Sequence, residues 1–280
     1  MEKLIQYATR ASAYDGAFDS VVGWAAAGMG YLIRTKNGHL IAVDGGHPED
    51  AEAFLELIEA IADGKPTVDL WIITHPHGDH YGALVEICRR TDLAERVNVR
   101  TLVYHFPEEF RDKNGNGLDY AEPHFRNIRT VTGAKTVTPA EDQILETDGM
   151  KLHFLYTPSD CPILNNPNQL SLIFTVQGDG KKILFTGDAY ARNLEIVLTR
   201  YPDDLKCDIL QLPHHGLCDT GHLEFYRHAD AETVVIPISA AGDRTMHSDM
   251  YGDAPSANRF AEENAKNVFK AFEGTVEIEL

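Results

Sequence analysis

Hydrophobic and polar positions along this chain follow two periods. Residues 31–46, "YLIRTKNGHLIAVDGG", read as two apolar strands joined by a turn at Asn37-Gly38. That dipeptide suits the left-handed conformations of a tight hairpin. Asp44 closes the second strand. Over residues 49–62 the period lengthens, and Phe54, Leu55, Ile58, Ile61 and Ala62 fall on one helical stripe, with Pro48 at its start and Gly64 past its end. "TVDLWIIT" follows, nearly all apolar, as a strand covered on both faces should be.

The arrangement returns later. "KKILFTGD" is an apolar strand ending in Asp188, "ARNLEIVLTRY" is helical, and "CDILQLPHHG" is a strand running into histidines. Superposing "VDLWIITHPHG" on "CDILQLPHHG" aligns Asp69 with Asp208 and His75 with His214, six residues apart in each copy. Two such βαβ units predict two sheets sandwiched between helices, with polar residues gathered at the carboxyl ends of strands. The repeat favours one domain over residues 1–280 rather than two. Toward the C-terminus, "TVVIPIS", "SANRFAEENAKNVFKAFEG" and "TVEIEL" read as strand, helix and strand.

Residues 105–135 break the pattern, being polar, Gly/Asn-rich and weakly periodic, and read as an irregular insertion over a site. Within it "DKNGNGLDY" begins like a calcium loop, but the twelfth position is Pro123 where a bidentate Glu belongs, so a plain turn is the better reading.

Charge narrows the partners. With 43 acidic against 25 basic residues among 280, the formal charge is −18, which argues against long nucleic acid and anionic membrane surfaces. A small-molecule substrate is the expected partner, and the pattern leaves the oligomeric state open. No apolar run reaches the length of a membrane span, and the N-terminus lacks an apolar signal core. Four scattered cysteines, Cys88, Cys161, Cys207 and Cys218, fit free thiols in a reducing compartment, so a cytoplasmic protein is expected.

The strongest chemical signal is "THPHGDHYG", Thr74 to Gly82, directly after a buried strand. His75 and His77 are spaced to aim at one point, and Asp79 and His80 at a neighbouring one. Imidazole and carboxylate ligands suit zinc, manganese or, less well, iron, and two ligand groups this close imply two divalent ions. Isolated loop histidines would be solvated and idle; four such groups in six residues are not.

This stretch resembles the HxHxDH signature of the metallo-β-lactamase superfamily, and "IAVDGG" and "ILFTGDA" resemble that family's first and fourth motifs. The resemblance runs from about residue 20 to the C-terminus and implies an α/β fold, a four-layer αββα sandwich with the metals at its edge. It implies that His75 and His77 hold one ion, Asp79 and His80 the other, and that Asp188 bridges them, with Asp44 holding a ligand histidine from behind. The third motif departs: "TPSDCP" puts Asp160 where a ligand His is expected. Either Asp160 is the ligand or that ion keeps an open position, the second being favoured.

"NPNQLSLIF" and "LPHHG" are similar to the hydrolase domain of the DNA-uptake channel ComEC and to phosphorylcholine esterase, with Asn168 and Ser171 matching their pattern. His214 or His215 would then be the last ligand. The internal repeat favours His214, leaving His215 to touch substrate or donate a proton, and His247 stands where ComEC-like domains carry a further His.

The expected activity is metal-assisted hydrolysis by a metal-bound hydroxide, oriented by Asp79, on a phosphodiester or related small phosphate ester. Hydrolysis of a lactone, thioester or β-lactam is the alternative, and a non-catalytic metal-binding protein a further one. Diiron flavoproteins of this fold place Glu where this chain has His77, which argues against redox chemistry.

Overall fold

The computed structural model describes residues 2–16, 28–158, 165–217, 221–247 and 257–280. One sheet is built from β1 (Lys3–Gln6), β2 (Gly30–Arg34), β3 (Leu40–Asp44), β4 (Thr67–Ile72), β5 (Asn98–Val103) and β6 (Lys135–Val137). The other is built from β7 (Ile144–Thr147), β8 (Met150–Tyr156), β9 (Ile173–Gln177), β10 (Lys182–Phe185), β11 (Ile209–Gln211), β12 (Thr233–Ile236) and β13 (Asn267–Lys270). The last strand, β14 (Val276–Glu279), returns to the first sheet beside β1. Among the described residues each sheet therefore has seven strands, ordered β14-β1-β2-β3-β4-β5-β6 and β13-β12-β11-β10-β9-β8-β7.

Helices cover the two outer faces. α1 (Ala51–Ile61), α2 (Gly78–Arg89) and α3 (Glu122–Thr132) pack on the first sheet. α4 (Ala191–Arg200), α5 (Leu223–Ala229) and α7 (Ala257–Asn264) pack on the second, while α6 (Ala240–Met246) follows β12. Between the sheets lies an apolar layer that includes Tyr31, Ile72, Phe154, Phe174 and Phe185. Phe174 and Phe185 stack with centroids 5.2 Å apart, and Tyr31 meets Phe185 edge-on at 5.4 Å, each pair adding about 1 kcal/mol beyond its buried area. The αββα sandwich expected from the repeat is the observed architecture.

The parallel pairs β3/β4 and β10/β11 are the two copies of the repeat. In the first, the register with β3 jumps from Leu40↔Val68 to Ile41↔Leu70, so Asp69 is an extra residue in β4. This bulge turns Leu70 and Ile72 toward the other sheet while Val68 and Trp71 face the helices, so every residue of "VDLWII" is buried.

Two elements differ from expectation. Only residues 105–121 of the insertion are irregular; α3 follows, buried through Phe125 and Ile128 alone and ended by Gly133 in the left-handed conformation. At the C-terminus the helix stops at Asn264, and "NVFK" instead forms β13 parallel to β12. Asp112 accepts from the N–H groups of Asn114 and Asn116, both at 2.8 Å, so "DKNGNG" closes as a turn. Among the described residues no helix is long and apolar enough to cross a membrane. Cys88 and Cys207 are buried free thiols; Cys161 and Cys218 lie outside the described residues.

Candidate metal centre

The carboxyl ends of β3, β4, β10 and β11 meet at one rim. Asp44 ends β3 at a φ of 56°, a left-handed turn unusual for a residue with a side chain. Its buried carboxylate accepts from Thr74 N–H and Thr74 Oγ1, each at 2.8 Å, and stands 2.8 Å from His80 Nδ1. Its carbonyl accepts from Trp71 Nε1 at 2.8 Å. The strand end that launches "THPHGDH" is thus tied to the neighbouring strand through one acid. The backbone then turns through His75 and Pro76, and His77 caps α2, whose first turn carries Asp79 and His80.

The second sheet supplies Asp188 and a histidine pair. Asp188 N–H donates to Ser171 Oγ at 2.9 Å, and Leu172 N–H donates to Thr74 O at 3.0 Å, joining the two sheets across the rim. Gly187 has a φ of 52°, and a Cβ there would stand 3.0 Å from both Ser171 Cβ and Thr74 Cβ, so only glycine fits this crossing. Gln211 Oε1 accepts from Thr186 N–H and Gly187 N–H, both at 2.8 Å, and fixes the turn.

Two groups of nitrogen and oxygen atoms result, each with its members within 4.8 Å of one another: His75, His77 and Asp188, and Asp79, His80 and His215. Asp188 faces both. Its Oδ2 lies 3.6 Å from His75 Nε2 and 3.4 Å from His215 Nε2, and its Oδ1 lies 3.3 Å from His80 Nε2. His215 Nε2 is also 3.2 Å from Asp79 Oδ2. Each inward nitrogen is set from behind: His80 by Asp44, His75 by Thr74 Oγ1 at 3.1 Å, and His215 by the carbonyl of Pro237 at 2.9 Å. Such outer partners fix ring orientation and leave Nε2 for a cation.

Here the two copies of the repeat part. It favoured His214, yet His215 joins Asp79 and His80, while His214 Nε2 stands 4.0 Å from Asp188 Oδ2 and accepts from Asn168 Nδ2 at 3.1 Å. The cause is local. His214 and His215 both adopt left-handed backbone, φ 50° and 56°, and this double turn after Pro213 swings the second ring into the place the strand pattern gives the first.

His247 does not enter the site either: its Nδ1 bonds the carbonyl of Asp243 at 2.8 Å, and its Nε2 lies 3.4 Å from Glu262. That separate surface group already holds a cation, since Lys270 Nζ is 2.8 Å from Asp243 and 2.5 Å from Glu262. Asp160 lies outside the described residues. Gln211 and the Pro237 carbonyl were not found by sequence reasoning; a polar residue inside the apolar "DILQL" was the available signal for the first, and the second had none.

Electrostatics shows what the donor set lacks. Burial pushes His75 and His77 below the ordinary imidazole range, and lowers His214 to about 4. Burial opposes charge on His80 and His215 as well, but the carboxylates of Asp188 and Asp79 outweigh it, raising His80 well above its usual value and His215 to about 10. In turn, burial alone would raise Asp79 and Asp188, yet His80 and His215 hold both below the carboxylate range. Burial dominates at Asp44, which is raised despite His80 and Thr74.

The buried acids are thus balanced by protons on imidazoles. His80 Nε2 and Asp188 Oδ1 are moreover buried without a hydrogen bond among the described residues. Buried polar atoms left unbonded cost free energy unless something completes them. Divalent cations fit this donor set, since they would replace the protons and give those atoms a partner.

An αββα sandwich with imidazoles and carboxylates gathered at one rim is the architecture of metallo-β-lactamase-like proteins. The sequence agrees: residues 25–236 match the metallo-beta-lactamase superfamily, and the chain belongs to it. Competence protein ComA of Neisseria gonorrhoeae is 24% identical over 254 residues, covering 83% of this chain but 31% of ComA. Zn(2+)-bound PqqB from Methylobacterium extorquens shares the fold with a TM-score of 0.60 at 11% identity, covering 100% of both chains. Tm1679, a metal-dependent hydrolase of the beta-lactamase superfamily, does so with a TM-score of 0.58 at 15% identity, covering 99% of each.

Proposed function

We propose that this chain is a metal-dependent hydrolase that holds two divalent ions, zinc or manganese, and cleaves a phosphodiester or related small phosphate ester. The observation that carries the reading is Asp188, whose two oxygens face the His75 and His77 group on one side and the Asp79, His80 and His215 group on the other. Paired cations held there would supply an acidified water and positive charge to offset that of a phosphoryl group.

The protein's own groups do the rest. Asp79, at the first turn of α2, is the most exposed of these carboxylates at 19%, and its free edge is placed to orient a nucleophilic water by accepting a hydrogen bond from it. His75, His80 and His215 are fully buried and backed by Thr74, Asp44 and Pro237, so their nitrogens keep one direction through the reaction. His214 is neutral at pH 7, with Nε2 accepting from Asn168, and serves as a rigid wall rather than a proton donor. The Coulombic preference is for a small anion: with a net charge of −18 the surface as a whole repels long polyanions.

The test is metal content per chain by elemental analysis, together with hydrolysis of bis(p-nitrophenyl) phosphate with and without added zinc or manganese. About two ions and metal-dependent nitrophenol release support the reading. Two ions with turnover of a lactone or thioester but no phosphodiester would replace it.

A further inference from the structure

The irregular segment 105–121 does not hang free. Tyr120 Oη donates to the carbonyl of Pro76 at 2.9 Å, gripping the loop between His75 and His77, and Lys113 N–H donates to Asn165 O at 3.0 Å. Between these ties lies a groove of about 580 Å³ lined by Arg111, Asp119, Tyr120 and Pro167. Tyr120 thus bonds the residue between His75 and His77, and Pro167 precedes Asn168, which bonds His214, so two of the groove's walls are tied to segments that flank the candidate centre. Its volume is that of a small-ligand site.

Its lining has a specific chemistry. Tyr120 is 47% exposed although its hydroxyl is already bonded, so a ring surface lies open; among the described residues it is the one aromatic with such exposure. Arg111 donates to the carbonyls of Glu108 at 2.9 Å and Phe110 at 2.5 Å, and forms no ion pair among the described residues. Unpaired arginine is rare in this acidic chain. Asp112 spends both carboxylate oxygens on Asn114 and Asn116 and shapes the turn, whereas Asp119 lines the groove as an acceptor.

An open aromatic face beside a guanidinium and a carboxylate suits a planar ring whose edge carries both acceptors and donors. A quaternary ammonium headgroup would stack on Tyr120 but meet Arg111, and an acyl chain would strip water from Arg111 and Asp119 without replacing it. We propose that this groove binds the nucleobase-like ring of a phosphate ester whose phosphoryl group sits at the metal centre. The proposal rests on the phosphoesterase reading above and names its substrate class: nucleotide-type esters.

The experiment is calorimetric titration of the metal-loaded protein with adenosine 5′-monophosphate, ribose 5-phosphate and phosphocholine. Stacking on one aromatic gives an expected preference of about tenfold or more for the adenosine ligand over ribose 5-phosphate. Tyr120→Leu and Arg111→Gln should each cut that preference severalfold, while Tyr120→Phe, which keeps the ring and loses only the loop tie, should keep most of it. Equal affinity for the adenosine and ribose ligands, tighter phosphocholine, or a preference untouched in both Tyr120→Leu and Arg111→Gln would overturn the proposal. Wild-type hydrolysis of bis(p-nitrophenyl) phosphate, run in parallel, separates the two readings. Ring preference without hydrolysis retains the groove and removes the activity; hydrolysis without ring preference does the reverse.

Discussion

Exchanging His215 and His214 separately for Ala tests the arrangement at its most discriminating point. His215 Nε2 lies within 3.4 Å of Asp188 and 3.2 Å of Asp79, so removing it takes one nitrogen donor from the Asp79 and His80 group. Losing a residue that merely backs a ligand weakens metal binding about 10- to 100-fold, and losing a ligand should exceed that range, costing about 3 kcal/mol or more. His214 Nε2 stands 4.0 Å from Asp188 Oδ2 and already accepts a hydrogen bond from Asn168, so His214→Ala should weaken binding less than about tenfold. Ion stoichiometry by elemental analysis and competition with a chromophoric chelator read both numbers. His215→Ala should fall to about one tightly held ion; a larger loss in His214→Ala would refute the assignment drawn from the double left-handed turn.

Three other outcomes follow from the same contacts. Asp188→Ala should lose at least one ion while retaining its far-ultraviolet circular dichroism, and two tightly bound ions in that variant would remove the bridging role. Gly187→Ala should cost about 2–4 kcal/mol in urea denaturation, combining a left-handed penalty with 3.0 Å contacts to Ser171 and Thr74. The chelated protein should be most stable near the ordinary imidazole value of about 6.5. His215, raised to about 10 in the fold, contributes stability that is full below its unfolded value and lost as pH rises toward 10. Asp79 and Asp188, depressed, and His75 and His214, buried neutral, withdraw stability on the acid side. Metal-loaded protein should show a flatter alkaline limb in pH-dependent melting, and equal alkaline slopes with and without metal would contradict the proton-for-cation exchange.

What sequence could and could not reveal follows from range. His75, His77, Asp79 and His80 share one turn and a helix start, so their convergence is a local property of six residues. Asp44 and Asp188 were legible because acids ending apolar strands fall at a sheet rim in this architecture. α3 escaped because only Phe125 and Ile128 of its eleven residues are buried, too few to mark a period. β13 escaped because "NVFK" continues an amphipathic run, and only pairing with β12 makes it a strand.

The repeat deserves a different weight at its two ends. At the start of each second strand the aligned acids do the same thing: Asp69 Oδ2 accepts from Leu40 N–H at 3.4 Å, and Asp208 Oδ2 accepts from Lys182 N–H at 2.8 Å. Each ties its strand to the beginning of the preceding one, a framework role that both halves need equally. At the rim the halves diverge. The first half supplies a helix start, where His80 and Asp79 are separated from His75 by a turn. The second half has only the short "PHHG" turn, and reaches the centre through left-handed backbone at His214 and His215. Symmetry therefore predicts the scaffold well and the side chain that joins Asp79 and His80 badly: strand pairing repeats, whereas the turns at the rim differ.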